Sequence, residues 1–183
     1  AALDQLRLDL LLVVPTGQAW HKARRPSPAP ERLAMARLAF GVLPRAVVDT
    51  REIDRDGPTY TWDTLRDIAR ERPGAQLVLI IGADQAAALP SWHRWRDIVS
   101  DTIVAVAERL SESGSAMSAA SRFDPSTLPG LPPQARFERL EVPPSDASAT
   151  AIRARCAAGL DVSKLVPPAV ASYIDRHHLY RPT

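Results

Sequence analysis

A run of small and hydroxyl-bearing residues that ends in an arginine is the part of this chain best suited to bind phosphate. The run is Ala147-Ser148-Ala149-Thr150-Ala151-Ile152-Arg153, at the start of a predicted helix. Small residues let a phosphate chain approach the backbone, and the free N–H groups and dipole of a helix start favour anions. The Arg153 guanidinium adds a planar fork of donors. Taken alone, these residues favour the plainer interpretation, in which Ser148 or Thr150 caps the helix and Arg153 is solvated.

Two segments further up the chain could hold a nucleotide. Gly82-Ala83-Asp84 follows a predicted strand, where glycine permits close approach and a carboxylate can accept hydrogen bonds from a ribose diol. Helix capping by Asp84 is an equally common alternative. Trp92-His93-Arg94-Trp95 follows, and an exposed indole there can stack on a flat, cationic heteroaromatic ring. If these residues are helical, both tryptophans lie on one buried face, and for Trp95 this second interpretation is favoured.

Two more segments offer sites for anions. The sequence Thr59-Tyr60-Thr61 precedes a predicted helix, whose free N–H groups suit a small carboxylate, although capping is the plain alternative. Lys22 follows Trp20 and His21 after the first predicted strand, with Arg24 and Arg25 close behind. Lysine and arginine in that position can hold an anion, whereas most basic loops are simply solvated.

The elements that must position these residues are apolar strands alternating with helices. The pattern predicts strands at Leu10–Val14, Ala46–Asp49, Leu77–Gly82, Thr102–Val106 and Phe137–Val142, and helices at Glu31–Phe40, Thr61–Arg72, Trp92–Ile98 and, as two short helices, Ala151–Tyr180. Such alternation is typical of a doubly wound α/β fold with one parallel sheet, whose ligands sit beyond the carboxyl ends of the strands. Residues 111–133 are rich in Ser, Ala, Gly and Pro, which predicts a mobile surface insertion outside the core.

Composition places the chain among ordinary soluble globular proteins. It has 183 residues, 45% of them hydrophobic and 24% charged, and a formal net charge of +2. A charge so small and so dispersed does not favour a nucleic-acid partner. The single cysteine, Cys156, excludes an intrachain disulfide and multi-thiolate zinc sites, and we expect it to be a buried structural thiol. No apolar run long enough to span a membrane and no signal peptide are visible, so we expect a cytoplasmic protein without a membrane partner.

In their order along the chain, these segments resemble the bacterial nicotinate-nucleotide adenylyltransferases, members of the nucleotidyltransferase superfamily with a Rossmann-like fold. The resemblance runs from about Leu8 to Tyr180, and it rests on these blocks: V-V-P-T-G-Q-A-W-H-K, R-L-A-M-A-R-L-A, D-T-R-E-I-D-R-D-G-P-T-Y-T-W-D-T-L, I-I-G-A-D, S-W-H-R-W, S-A-T-A-I-R and V-P-P-A-V-A-S-Y-I-D-R-H-H-L-Y. It implies transfer of AMP from ATP, accompanied by Mg²⁺, to nicotinate mononucleotide, which gives deamido-NAD and pyrophosphate.

The resemblance also implies a role for each matching residue. Trp92 would stack on the nicotinate ring, and the Thr61 and His93 N–H groups would hold its carboxylate beside Tyr60. Asp84 and Gly82 would meet the ribose, and Lys22 would reach phosphate. Ser148, Thr150 and Arg153 would bind the ATP phosphates, with Arg153 meeting the charge that develops during transfer. No residue is expected to bind a metal ion directly.

One family motif has no counterpart in these 183 residues. The family opens with a strand and G-G-T-F-D-P-x-H-x-G-H, whose histidines bind ATP phosphates. We therefore expect a single adenylyltransferase domain over 1–183 that is N-terminally incomplete, with a C-terminal helical part over 151–183. The absent strand is expected between those at Leu10–Val14 and Leu77–Ile81. The alternative is a nucleotide-binding remnant that performs no chemistry.

Overall fold

The computed structural model describes residues 1–17, 27–109, 123–143 and 147–181. These residues form two compact units, one comprising Ala1–Leu8 and Gly57–Pro144 (unit 1), the other Asp9–Asp56 and Ser145–Thr183 (unit 2). The elements follow in chain order: α1 (Ala2–Gln5), β1 (Leu11–Val13), α2 (Ala29–Phe40), β2 (Ala46–Val48), α3 (Arg51–Asp54), α4 (Thr61–Glu71), β3 (Val78–Gly82), α5 (Ala83–Ala87), α6 (Trp95–Asp101), β4 (Ile103–Arg109), β5 (Arg136–Val142), α7 (Ala149–Ala157) and α8 (Pro168–Arg176).

Unit 1 is built on a three-stranded parallel sheet in the order β3-β4-β5. Val78 pairs with Ile103 and Gly82 with Ala107 in the register of β3 and β4. The central strand is the most deeply buried, because it has a neighbour on both sides and a hydrophobic cluster against one face. That cluster joins β4 to α5, α6 and the segment after residue 123, and its buried members are Ala86, Leu89, Trp95, Val99, Val104, Val106 and Leu128.

Unit 2 pairs β1 with β2, again in parallel, and packs its helices into a second cluster. Cys156 of α7 lies in this cluster with Val170 and Ile174 of α8, against Met35 and other apolar residues of α2. The thiol is buried, as expected from the sequence, and burial raises its pKa above the usual value. It therefore stays protonated at neutral pH and contributes to the core as a small apolar group.

The α/β class with parallel strands is confirmed, but the strands described here form two sheets rather than one. Each of β1 and β3 pairs on one side only with a strand of the described ranges. This explains why both are half-buried, although their continuous apolar sequences predict full burial. No helix in the described part of the chain is long and apolar enough to cross a membrane.

Two local predictions differ from the structure. The helix predicted from Trp92 begins at Trp95, because Leu89–Ser91 form a 3₁₀ turn and Arg94 adopts a left-handed backbone conformation. The predicted insertion at 111–133 is not wholly outside the core, since Leu128 is only 5% exposed and packs in the cluster of unit 1. Residues 111–122 of that segment lie outside the described ranges. That they are mobile, and that 1–183 make up one domain, stay predictions.

The segment after residue 123 is tied to α6 by one arginine. Arg96 donates from Nε to the Gly130 carbonyl at 3.0 Å and from Nη2 to the Pro129 carbonyl at 3.2 Å. Its guanidinium also lies over the buried Trp95, 4.7 Å from the ring centroid. Hydrogen bonds from a charged donor to backbone carbonyls hold the two segments together from outside the core.

We predict that Arg96→Ala destabilises the protein by about 1–2 kcal/mol, since two charge-assisted hydrogen bonds and a ring contact are lost. For a chain of this size that lowers Tm by about 2–8 °C, measured by circular dichroism. The matched control is Arg70→Ala, which removes an exposed ion pair with Asp67 at 3.6 Å and should change Tm little. Equal shifts for the two variants would contradict the prediction.

Candidate functional site

The start of α4 carries backbone donors that no side chain caps. The helix begins at Thr61, and its N-cap Tyr60 is extended, with φ −115° and ψ 137°. The first intrahelical donor is the Thr64 N–H, which reaches the Tyr60 carbonyl at 3.2 Å. Within the described ranges, the N–H groups of Thr61, Trp62 and Asp63 have no acceptor. The capping alternative is therefore wrong here, and the helix start is open to an anion.

Two side-chain contacts join this helix start to the segment before α6. The rings of Tyr60 and His93 lie 4.6 Å apart between centroids, tilted by 41°. The Arg94 guanidinium lies over the Trp62 indole, with Cζ 4.6 Å from the ring centroid. These contacts flank Thr61 on both sides. The two residues whose N–H groups are expected to hold the carboxylate, Thr61 and His93, are thus brought to neighbouring positions.

Buried polar atoms without partners lie at the same place. Thr59 is only 7% exposed, and its Oγ1 has no hydrogen-bond partner among the described residues. The indole Nε1 of Trp62 is buried and, over the same ranges, equally unsatisfied. Folded proteins rarely leave buried polar groups unpaired, so a cluster of them at one helix start is typical of a surface that receives a polar ligand or water.

Gly82 and Asp84 lie at the carboxyl end of β3, where a parallel sheet presents its ligands. Gly82 is the N-cap of α5 without a side-chain cap bond, so Asp84 does not cap this helix. A Cβ on Gly82 would lie 2.8 Å from Asp84 Oδ1. Only glycine therefore lets the carboxylate fold back over the strand end. The Asp84 side chain is exposed and accepts from Gln85 Nε2 at 3.2 Å through its other oxygen.

Trp92 is half-buried, and it packs against the edge of the unit 1 cluster rather than within it. Its backbone is extended, with φ −80° and ψ 145°, between the 3₁₀ turn and Arg94. Trp95, three residues later, is 6% exposed and belongs to the core. The preference for Trp95 as a core residue is confirmed. Trp92 is only partly covered at the rim of the core, and its use as a stacking surface stays a prediction.

The second group of predicted residues lies in unit 2. Ser148 is the N-cap of α7, and its Oγ accepts the Ala151 N–H at 3.0 Å, so the capping interpretation holds for this residue. Arg153 Nη2 donates to Thr150 Oγ1 at 3.3 Å. Arg153 is half-buried rather than solvated, and its Nε is buried without a partner in the described part of the chain. The N-terminus of α7 thus holds a guanidinium with donors to spare.

Lys22 lies outside the described residues, but both ends of its segment are defined. Arg32 of α2 donates to the carbonyl of Ser27 at 3.0 Å and to that of Gly17 at 3.4 Å. Burial lowers the pKa of this guanidinium, while its electrostatic interactions with Tyr180 and Glu52 act in the opposite direction. One side chain therefore joins the last residue before the segment to the first residue after it.

The sequence-based expectations missed Arg94 and Trp62. Sequence composition does not reveal that Arg94 has a φ of 54°. The position of a basic residue directly after Trp92-His93 could have indicated a role for it. Over the described ranges, no group of three or more His, Cys, Asp or Glu side chains is placed to hold a metal ion. The geometry therefore offers polar and aromatic groups, in two places, to a substrate with anionic and ring moieties.

Comparison with known proteins identifies the family of this chain. The Cytidylyltransferase-like family matches residues 1–155. A probable nicotinate-nucleotide adenylyltransferase of Albidiferax ferrireducens is 52% identical over 99% of this chain and 87% of its own length. One from Methylibium petroleiphilum is 42% identical over 99% of this chain and 82% of its length.

Solved structures show the same fold at low sequence identity. A nicotinic acid mononucleotide adenylyltransferase of Plasmodium falciparum, solved in complex with NaAD, superposes with a TM-score of 0.69 at 16% identity, over 94% of this chain and 83% of that one. Near-complete coverage by relatives well above 30% identity establishes the family. The chain belongs to the cytidylyltransferase-like family and, within it, to the nicotinate-nucleotide adenylyltransferases.

Proposed function

We propose that this protein transfers the adenylyl group of ATP to nicotinate mononucleotide, giving deamido-NAD and pyrophosphate in NAD biosynthesis. The observation that carries the proposal is the pairing of two segments, Tyr60–Trp62 and Trp92–Arg94, through two ring contacts. They combine unpaired backbone donors with a half-buried indole, which suits a flat ring that bears a carboxylate. We also propose a cytoplasmic location, where both substrates are available.

In the acceptor site, Trp92 stacks on the pyridine ring, and the N–H groups of Thr61 and His93 donate to its carboxylate. Tyr60 shapes this site through its contact with the His93 ring. Asp84 accepts hydrogen bonds from the ribose hydroxyls, and Gly82 leaves room for the sugar beside the strand end. The Thr61 and His93 N–H groups have no acceptor within the described ranges, the Asp84 carboxylate is exposed, and Trp92 is half-buried.

On the ATP side, the phosphates bind at the start of α7. The Ser148 hydroxyl already accepts the Ala151 N–H, and its own proton remains available for a phosphate oxygen. Thr150 and Arg153 contribute a second hydroxyl and the guanidinium. Lys22 adds a positive charge from its own segment. Arg153 is the residue that we assign to the charge developing on the triphosphate in the transition state.

The chemistry is a direct displacement at phosphorus. A phosphate oxygen of nicotinate mononucleotide attacks the α-phosphorus of ATP, and the bond from that phosphorus to the bridging oxygen breaks as pyrophosphate leaves. The side chains orient the two reactants and neutralise charge, which is most of what such a transfer requires. Mg²⁺ bound with ATP would supply further neutralisation of the phosphate charge.

The direct test is turnover of the complete gene product with ATP, Mg²⁺ and nicotinate mononucleotide. Deamido-NAD is quantified by chromatography and pyrophosphate by a coupled assay, and we expect the two in equal amounts. Binding of both nucleotides by calorimetry without turnover would overturn the proposal and favour a catalytically impaired nucleotide-binding remnant.

Replacing Trp92 with alanine should raise KM for nicotinate mononucleotide about 2- to 10-fold, because one stacking surface worth about 0.5–1.5 kcal/mol is lost. KM for ATP should change much less. Steady-state kinetics with each substrate varied in turn make the measurement. A matched rise in both KM values, with a lower Tm, would instead identify Trp92 as a core residue.

Replacing Gly82 with alanine tests the role of Asp84 without touching its carboxylate. The backbone of Gly82, with φ −76°, is accessible to alanine, but the new Cβ displaces Asp84 Oδ1 from a position 2.8 Å away. Because that carboxylate is exposed and can rotate, Tm should hold while KM for nicotinate mononucleotide rises severalfold. An unchanged KM would mean that the ribose does not depend on the observed position of Asp84.

Replacing Arg153 with lysine keeps the charge and removes the planar fork. If Arg153 acts mainly in the transition state, kcat should fall at least tenfold while the Kd of nicotinate mononucleotide stays constant. Rapid-quench kinetics and calorimetry separate the two effects. Wild-type turnover in this variant would remove Arg153 from the mechanism, and a parallel loss of thermal stability would assign it a structural role.

A further inference from the structure

Arg94 combines an uncommon backbone conformation with two side-chain contacts, one to α6 and one to α4. Its backbone is left-handed, with φ 54° and ψ 38°, a conformation that is uncommon for non-glycine residues. Its side chain is exposed, yet it is held at two points: Nε lies 2.6 Å from Asp97 Oδ2, and Cζ lies 4.6 Å from the Trp62 ring centroid. Asp97 lies in the first turn of α6, so the guanidinium is oriented by that helix toward α4.

The contacts of Arg94 restrict the residues beside it in both segments. His93 directly precedes Arg94, and its ring contacts Tyr60 at 4.6 Å, while Trp62 beneath the guanidinium directly follows Thr61. Two contacts on either side of Thr61 restrict both sliding and rotation of the helix start against residues 93–94. The Thr61 and His93 N–H groups, which have no acceptor within the described ranges, are thereby held in one mutual geometry.

We propose that Arg94 is a positioning residue that sets selectivity for the acid form of the acceptor, by clamping the Thr61 and His93 N–H groups at the separation that a carboxylate requires. The inference rests on the proposed function. A carboxylate offers two acceptor oxygens, whereas a carboxamide offers one oxygen and an NH₂ donor, so two fixed N–H donors favour the acid. If the two N–H donors move independently, one of them can turn away from the NH₂ group of an amide. The amide then loses less binding free energy relative to the acid.

The test compares nicotinate mononucleotide with nicotinamide mononucleotide as acceptors of the complete gene product. Arg94→Gly removes both side-chain contacts, and glycine adopts the left-handed backbone conformation without strain. We expect the ratio of kcat/KM for acid over amide to fall about tenfold, the change that accompanies loss of one charge-assisted hydrogen bond. KM for ATP should not change. Arg94→Lys, which keeps a cation over the indole, should give an intermediate ratio.

Arg96→Ala is the matched control, because this neighbouring arginine also lies over an indole, that of Trp95, but faces residues 129–130. It should lower Tm and leave the acid-to-amide ratio unchanged. A double variant supplies a second test. If Arg94 acts through the indole, Trp62→Leu combined with Arg94→Gly should shift the ratio no further than either change alone.

Three results would overturn the inference. The first is an unchanged ratio in Arg94→Gly, with wild-type turnover of the acid intact. The second is additive effects in the double variant, and the third is an equal change of ratio in Arg96→Ala. Failure of the proposed function has a different signature, namely no turnover of either acceptor by the wild-type protein, and it would overturn both.

Discussion

Burial of Leu89, Trp95 and Val99 against β4 is the packing on which the candidate acceptor site depends. These side chains are 0–6% exposed and lie against Val104 and Val106 at the centre of the sheet. They fix the path of the chain after β3. The exposed residues between them therefore depend on this core for their position. Close-packed cores resist small deformations. The half-buried and polar groups at the rim of this core therefore keep a fixed geometry, which ligand recognition requires.

The two candidate substrate sites use the backbone in different ways. At the start of α4 the N–H groups have no capping side chain, so the donors themselves are offered to a ligand. At the start of α7 the Ser148 hydroxyl occupies one backbone donor, and the anion is met by hydroxyl protons and a guanidinium. A small planar carboxylate suits the first arrangement. A flexible, highly charged triphosphate suits the second, since side chains can follow its oxygens.

Much of the fold follows from sequence patterns, because continuous apolar runs ending in glycine or proline leave few alternatives to buried parallel strands. The bounds of α2 and α4 are predicted to within two residues, because helical spacing of apolar residues is a strong signal. Burial of β1 and β3 was overestimated, since exposure of a strand depends on neighbours that its own residues do not specify. The type of Trp92 predicts a stacking role, which stays a prediction. The arrangement of Arg94 could not be predicted, because its left-handed backbone and its position over Trp62 arise only from tertiary packing.

The distribution of two residue types lets each unit report its own stability. The sequence has one thiol, Cys156, which is 6% exposed within the core of unit 2, so a maleimide reagent reacts with it only when that core opens. Three of the four tryptophans, Trp62, Trp92 and Trp95, belong to unit 1, and Trp20 lies outside the described residues. With Trp20 replaced by phenylalanine, indole fluorescence follows unit 1 while thiol labelling follows unit 2. Together, the two signals show whether the two units unfold together or one after the other.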